Sequence, residues 1–98
     1  MNLGQALAVV IRTTRKARGL TQEDFGVVSS RTYLSSLERA LKSPTIEKLE
    51  ELSSVLKVHP ATLLVLATVV MSEDSGENST LDRIISETTS LLDVVRTK

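Results

Sequence analysis

The chain has 98 residues, 41% of them hydrophobic, and a formal net charge of zero, which allows one modest core and at most an appendage. It has no cysteine, one histidine (His59) and only Phe25 and Tyr33 as aromatic residues. Disulfides, thiolate metal centres and a multi-histidine metal site are excluded, and little is left to build a base-stacking surface for single-stranded nucleic acid.

The charge is unevenly placed, with a net +4 over residues 1–45 and a net −4 over residues 46–98. This asymmetry suggests a polyanionic partner for the first half; chance variation in short segments is the competing explanation. The opening MNLGQALAVVIR has no basic stretch ahead of its apolar run, unlike a signal peptide. The most apolar run, residues 61–71, is too short to cross a bilayer, which takes about 20 residues. The expected location is the cytoplasm, with no membrane partner.

In chain order, Leu3, Leu7, Val10, Ile11 and Thr14 recur at helical spacing and predict a helix over 2–18, stopped by Gly19. Thr21-Gln22-Glu23-Asp24 is a capping-box-like start for a short second helix with Phe25 and Val28 inward. Ser29 or Ser30 can cap a third, whose Leu34 and Leu37 share the inner face. After a loop at Lys42-Ser43-Pro44, Thr45 can cap a fourth helix with the stripe Ile46, Leu49, Leu52, Val55 and Leu56. Pro60 suits the first position of a fifth, and His59 before it is a corner or cap residue rather than a ligand. SEDSGENS, residues 72–79, is a polar linker. Beyond it Leu81, Ile84, Ile85, Thr88, Leu91, Leu92 and Val95 form one apolar stripe. No segment alternates like a strand. The expected class is all-α: a unit over 1–71, a linker over 72–79 and a C-terminal amphipathic helix over 80–98.

Two short helices with a tight junction and a third packed behind them are the kernel of helix-turn-helix DNA binding, in which the second helix lies in the major groove. The outer face of the third predicted helix offers Arg31, Thr32, Ser35, Ser36 and Arg39. Short side chains let a helix approach the groove floor, and arginine pairs with guanine O6 and N7. Thr21 and Gln22 open the preceding helix with free N–H groups for a phosphate. Ser30 at the next cap and Lys42 in the following loop complete the candidate DNA-contacting set. A solvated helical hairpin would carry many of the same residue types.

Residues 3–66 resemble the helix-turn-helix domain of the Cro/phage-repressor type, the XRE family. The resemblance rests on RKARGLTQE at 15–23, YLSSLER at 33–39, SPTIEKL at 43–49 and KVHP at 57–60, in that order. It implies a five-helix, lambda-repressor-like domain. It also implies that Gln22 contacts backbone or base, that Arg31 and Thr32 read bases, and that Ser35 and Ser36 face the groove one turn later. Arg15 and Glu38 stand where the family often has a partly buried ion pair, which would orient the recognition helix rather than read DNA.

Three departures from that pattern matter. The segment from Gln22 to Tyr33 is shorter than usual by two residues and has no glycine after Gly26. Gly26 itself takes a place usually held by alanine, where close helix–helix contact forbids bulk. Ala40 replaces the glycine that commonly follows the Glu-Arg pair, so the recognition helix is expected to end without a left-handed residue or to run on slightly.

The C-terminal third is more apolar than one small core needs. Leu63, Leu66 and Val70, with Leu81, Ile84, Ile85, Leu91, Leu92 and Val95, are the candidate dimerisation residues. The last helix could form a coiled-coil-like seam, swap onto a partner, or lie as a lid on its own domain. There is no nucleophile–base pair and no glycine-rich phosphate loop, so neither enzyme activity nor a cofactor or metal is expected. The sequence therefore points to a regulator that binds double-stranded DNA, a repressor acting as a homodimer on a palindromic operator. The rivals are an antitoxin that also binds a toxin, and an oligomerisation module that has lost DNA binding.

Overall fold

The structure is a computed structural model and describes residues 1–97. Among them there are five α-helices and no strand: α1 Leu3–Ala17, α2 Arg31–Glu38, α3 Ile46–Leu56, α4 Pro60–Asp74 and α5 Thr80–Arg96. A single 3-10 turn, Gln22–Phe25, stands where a short α-helix was expected between α1 and α2.

Most helix starts are fixed by side chains that satisfy N–H groups without an intrahelical partner. Asn2 and Gln5 form a capping box at α1, and Thr21 and Asp24 form one at the 3-10 turn; the expectation of a free Thr21 N–H is thereby corrected, since it donates to Asp24 Oδ2 at 2.7 Å. Ser30 Oγ accepts from Tyr33 N at 3.1 Å, and Thr45 Oγ1 accepts from Lys48 N at 3.0 Å. His59 caps α4, its Nδ1 accepting from Ala61 N at 3.0 Å, and Pro60 follows at the first helical position. Gly19 ends α1 with φ of +70°. The α4 helix runs on to Asp74, so the connection to α5 is only residues 75–79.

The core lies where α1 packs along α4, with α2, α3 and the 3-10 turn closing one end. Ala6, Leu7, Val10 and Ile11 of α1 meet Phe25, Leu34, Leu37, Leu49, Leu52, Leu56, Leu63 and Ala67. Each fully buried leucine or phenylalanine contributes about 1.5–3 kcal/mol of transfer free energy. Leu63 is wholly buried in this cluster. It therefore leaves the set of candidate interface residues, because the core cluster already covers it.

The last helix departs from this body. It begins against α4 with Thr80 buried and Ile84 half-buried, but every later residue through Thr97 is exposed. The radius of gyration is 14.7 Å, against about 13 Å for a compact chain of this length. No single helix among the described residues is long and apolar enough to cross a membrane.

Candidate nucleic-acid interface

Eight residues of α2 turn their apolar side, Leu34 and Leu37, into the core. The opposite side then carries Arg31, Thr32 and Arg39 in solvent, with Ser35 half-buried between them. These four side chains and Gln22 line one open concavity. A second concavity adjoins it, where Gln22, Ser35 and Arg39 meet Arg12, Arg15 and Lys16 of α1 and Glu38 of α2. Arg12 and Lys16 were not among the sequence candidates. Their spacing of four residues, bracketing Arg15, puts them on one side of α1 and was the available signal. Thr21, Ser30 and Lys42 are exposed, and Thr21 shares a further concavity with Gln22 and Arg31.

Ser36 does not belong to this face; it is buried. At 100° per residue it lies beyond Thr32, on the side turned toward the domain. Its carbonyl also accepts from Leu41 N at 2.9 Å, while Ala40 N donates to Leu37 O at 3.0 Å. These two bonds make a Schellman turn, which folds the chain back against the end of α2. The residue at its left-handed position is Ala40, with φ of +60°. The expectation that α2 ends without a left-handed residue is thus corrected. The turn forms with alanine in place of glycine, and the strained backbone costs roughly 1–2 kcal/mol.

Beneath the face lies an ion pair. Arg15 Nε donates to Glu38 Oε2 at 2.7 Å and Arg15 Nη2 to Glu38 Oε1 at 2.9 Å, a two-point contact in which the side chains are 10% and 3% exposed. The remaining guanidinium nitrogen, Nη1, donates to Leu20 O at 2.9 Å. Gln22 Nε2 donates to Glu38 Oε1 at 3.2 Å. One carboxylate therefore ties α1, the 3-10 turn and α2 together. The hydrogen bonds to Glu38 raise the Arg15 pKa above its ordinary value; burial acts against them and the Glu38 charge acts with them.

The shortened junction is also held from behind. Lys48 of α3 donates its ammonium to Val28 O and pairs with Glu51 at 3.4 Å. Lys48 and Lys42 lie 5.5 and 5.4 Å from the centre of the Tyr33 ring. Buried Ser29 donates its hydroxyl to Ser30 O at 3.2 Å. Gly26 has an ordinary helical φ of −56°, and a Cβ there would meet Glu23 O at 3.2 Å. The tightness at Gly26 thus comes from the 3-10 turn's own carbonyl rather than from a neighbouring helix. Arg31 reaches Glu23 at 3.4 Å, with both side chains mostly in water; such a pair is worth about 0–1 kcal/mol and leaves Arg31 available.

A polar, cationic helix face held in front of a tight junction, with a third helix behind, defines a helix-turn-helix DNA-binding protein. The helix-turn-helix family model matches residues 11–63, from mid-α1 to the start of α4. The chain belongs to that family, the Cro/phage-repressor (XRE) type, and is a DNA-binding regulator. No curated protein and no solved structure matches it.

Proposed function

We infer that the protein is a sequence-specific transcriptional repressor that binds double-stranded DNA as a homodimer on a palindromic operator in the cytoplasm. The observation that carries this reading is the concave face of Gln22, Arg31, Thr32, Ser35 and Arg39 on the half of the chain with net charge +4. In this reading α2 enters the major groove and Arg31 takes a guanine edge. Thr32 and Ser35 allow close approach, and Arg39 reaches the far end of the face. Thr21, Gln22, Ser30 and Lys42 meet the flanking phosphates, which set register rather than sequence. One such domain covers only about 600–1,000 Å² on DNA, so tight binding calls for two half-sites about 34–36 Å apart. Bound over a promoter, the dimer would repress by occluding polymerase.

The test is selection of a binding site from random duplex DNA, followed by titration of the selected site against salt. If about 6–10 phosphates are neutralised per dimer, affinity falls roughly 10³–10⁵-fold between 50 and 200 mM salt. A two-fold symmetric motif with that steep dependence is expected. Failure to enrich any motif, or a flat salt response, would overturn the reading.

A further inference from the structure

The α5 stripe has no cover. Leu81, Ile85, Leu91 and Val95 are between 47% and 67% exposed. Leu81, Ile84, Thr88, Leu91 and Val95 trace the two-position seam of a heptad, and Ile85 and Leu92 add a third position beside it. A two-stranded coiled coil buries only the first two positions, so Ile85 and Leu92 would stay wet, and Thr88 would sit mid-seam. A stripe three positions wide is built to lie on a globular surface.

Such a surface is present. Val9, Val10, Thr13 and Thr14 of α1 and Leu66 and Val70 of α4 line an open, largely apolar groove. Val9 and Leu66 are each more than 40% exposed. The walls are mainly short β-branched residues, which leave room for leucine and isoleucine. Arg12 and Lys16 stand beside Val9 and Thr13 along the α1 edge. Residues 85–95 carry Glu87 and Asp93 and no basic residue, so an acidic segment would meet that basic edge. The chain's own α5 leaves the groove open, since only Thr80 and Ile84 are covered. At the junction α4 closes in a turn in which Gly76 N donates to Glu73 O and Glu77 N to Ser72 O, each at 2.9 Å, while Ser79 makes no capping hydrogen bond at the start of α5.

We propose that the distal half of α5, residues 85–95, seats in the α1–α4 groove of a second copy of this chain, each copy giving its helix to the other. This rests on the homodimer reading above and supplies its geometry. A specific interface buries about 1,200–2,000 Å² in all, and a two-fold exchange counts each stripe and each groove twice toward it. Reciprocal exchange about a two-fold axis closes on itself and leaves no open end for further growth.

The chain has no cysteine, so single introduced thiols report cleanly. Mass-tagged V9C chains mixed with untagged L92C chains, refolded together and treated with a short bismaleimide, should give a crosslink between tagged and untagged chains. L92C alone should give little, and light scattering at micromolar concentration should give a dimer. Efficient L92C self-crosslinking without the mixed product would show helix-on-helix pairing and overturn the proposal. So would an intrachain crosslink in the V9C/L92C double variant at a monomer's mass, which would mean a lid on its own domain. A monomeric chain with no crosslink, its α5 free for a different protein, would overturn it as well. The variant L91D/L92D should become monomeric while keeping its helical circular dichroism; a dimer of unchanged strength would count against the proposal. None of these readouts uses DNA. A crosslinked dimer that selects no motif would sink the repressor reading and leave the exchange standing.

Discussion

Glu38→Ala offers the sharpest test of how the recognition helix is held. Glu38 accepts three hydrogen bonds, two from Arg15 and one from Gln22. Its removal strands a guanidinium that is 10% exposed, with Leu20 O as its remaining partner. Breaking a buried pair by deleting one member costs about 3–5 kcal/mol, most of it the uncompensated charge. Against a total stability of about 5–15 kcal/mol, that is a large share of what holds the domain folded. At about 4–8 °C per kcal/mol for a chain of this size, the melting temperature should fall by at least roughly 12 °C. The assay is thermal and urea unfolding of Arg15→Ala, Glu38→Ala and the double variant. The double variant should be no less stable than the worse single one, because it removes the orphaned charge together with its partner. The pair raises the Arg15 pKa, so the stability Arg15 lends is complete below its unfolded pKa and is lost only as pH climbs through the folded value. The Arg15 contribution should therefore be constant across the neutral range and fade only in strong alkali. Losses that simply add, or a Glu38→Ala melt within a few degrees of the parent, would refute this account.

Ala40→Gly should stabilise the domain by about 1 kcal/mol, since glycine takes φ of +60° without strain; the gain is net of the flexibility glycine adds to the unfolded chain. An unchanged or lower melting temperature would count against strain at Ala40. Lys48→Met removes the donor to Val28 O and one cation from the Tyr33 ring, a loss of about 1–3 kcal/mol. Hydrogen exchange at Val28, Ser29 and Tyr33 should speed up; unchanged protection would mean that α3 does not brace the junction. Arg31→Ala should cost about 1–3 kcal/mol on the selected site and relax one position per half-site, whereas Lys42→Ala should weaken all sequences alike. A binding-site selection on Arg31→Ala that returns the parent motif would remove it from base reading.

The helix starts were legible because they depend on neighbours a few residues apart. Thr21, Ser30, Thr45 and Pro60 each mark a start with chemistry that acts within one turn. Most positions of the core stripes were legible for the same reason, but Leu3 and Ile46, at the first turns of α1 and α3, lie exposed outside the core. What escaped was set by contacts across the chain or by small angular differences. Ser36 has the residue type of a groove-facing position, but it lies just past the edge of the exposed arc. Lys48 braces the junction from twenty residues away, which no local pattern shows. Leu63 and Leu66 are both apolar positions on α4, yet one is sealed against α1 and the other is open. Ala40 was misjudged because the Schellman bonds from Ala40 and Leu41 outweigh alanine's backbone preference.

The outer face of α2, apart from neighbouring Gln22, is decoupled from the scaffold that carries it. Thr32, Ser35 and Arg39 make no side-chain hydrogen bond among the described residues, and Arg31 makes one exposed contact, with Glu23. The helix beneath them is set by Ser30 in front, the turn at Ala40 behind, and Leu34, Leu37 and Glu38 on the inner side. Substitution at exposed Thr32 and Arg39 should change stability by no more than about 0.5 kcal/mol, and at Arg31 by at most about 1 kcal/mol with its Glu23 pair. If α2 reads DNA as proposed, operator preference can drift, or be reprogrammed by design, through these four positions as a swappable cassette. Paralogues sharing this frame could part company on DNA before their stabilities differ at all.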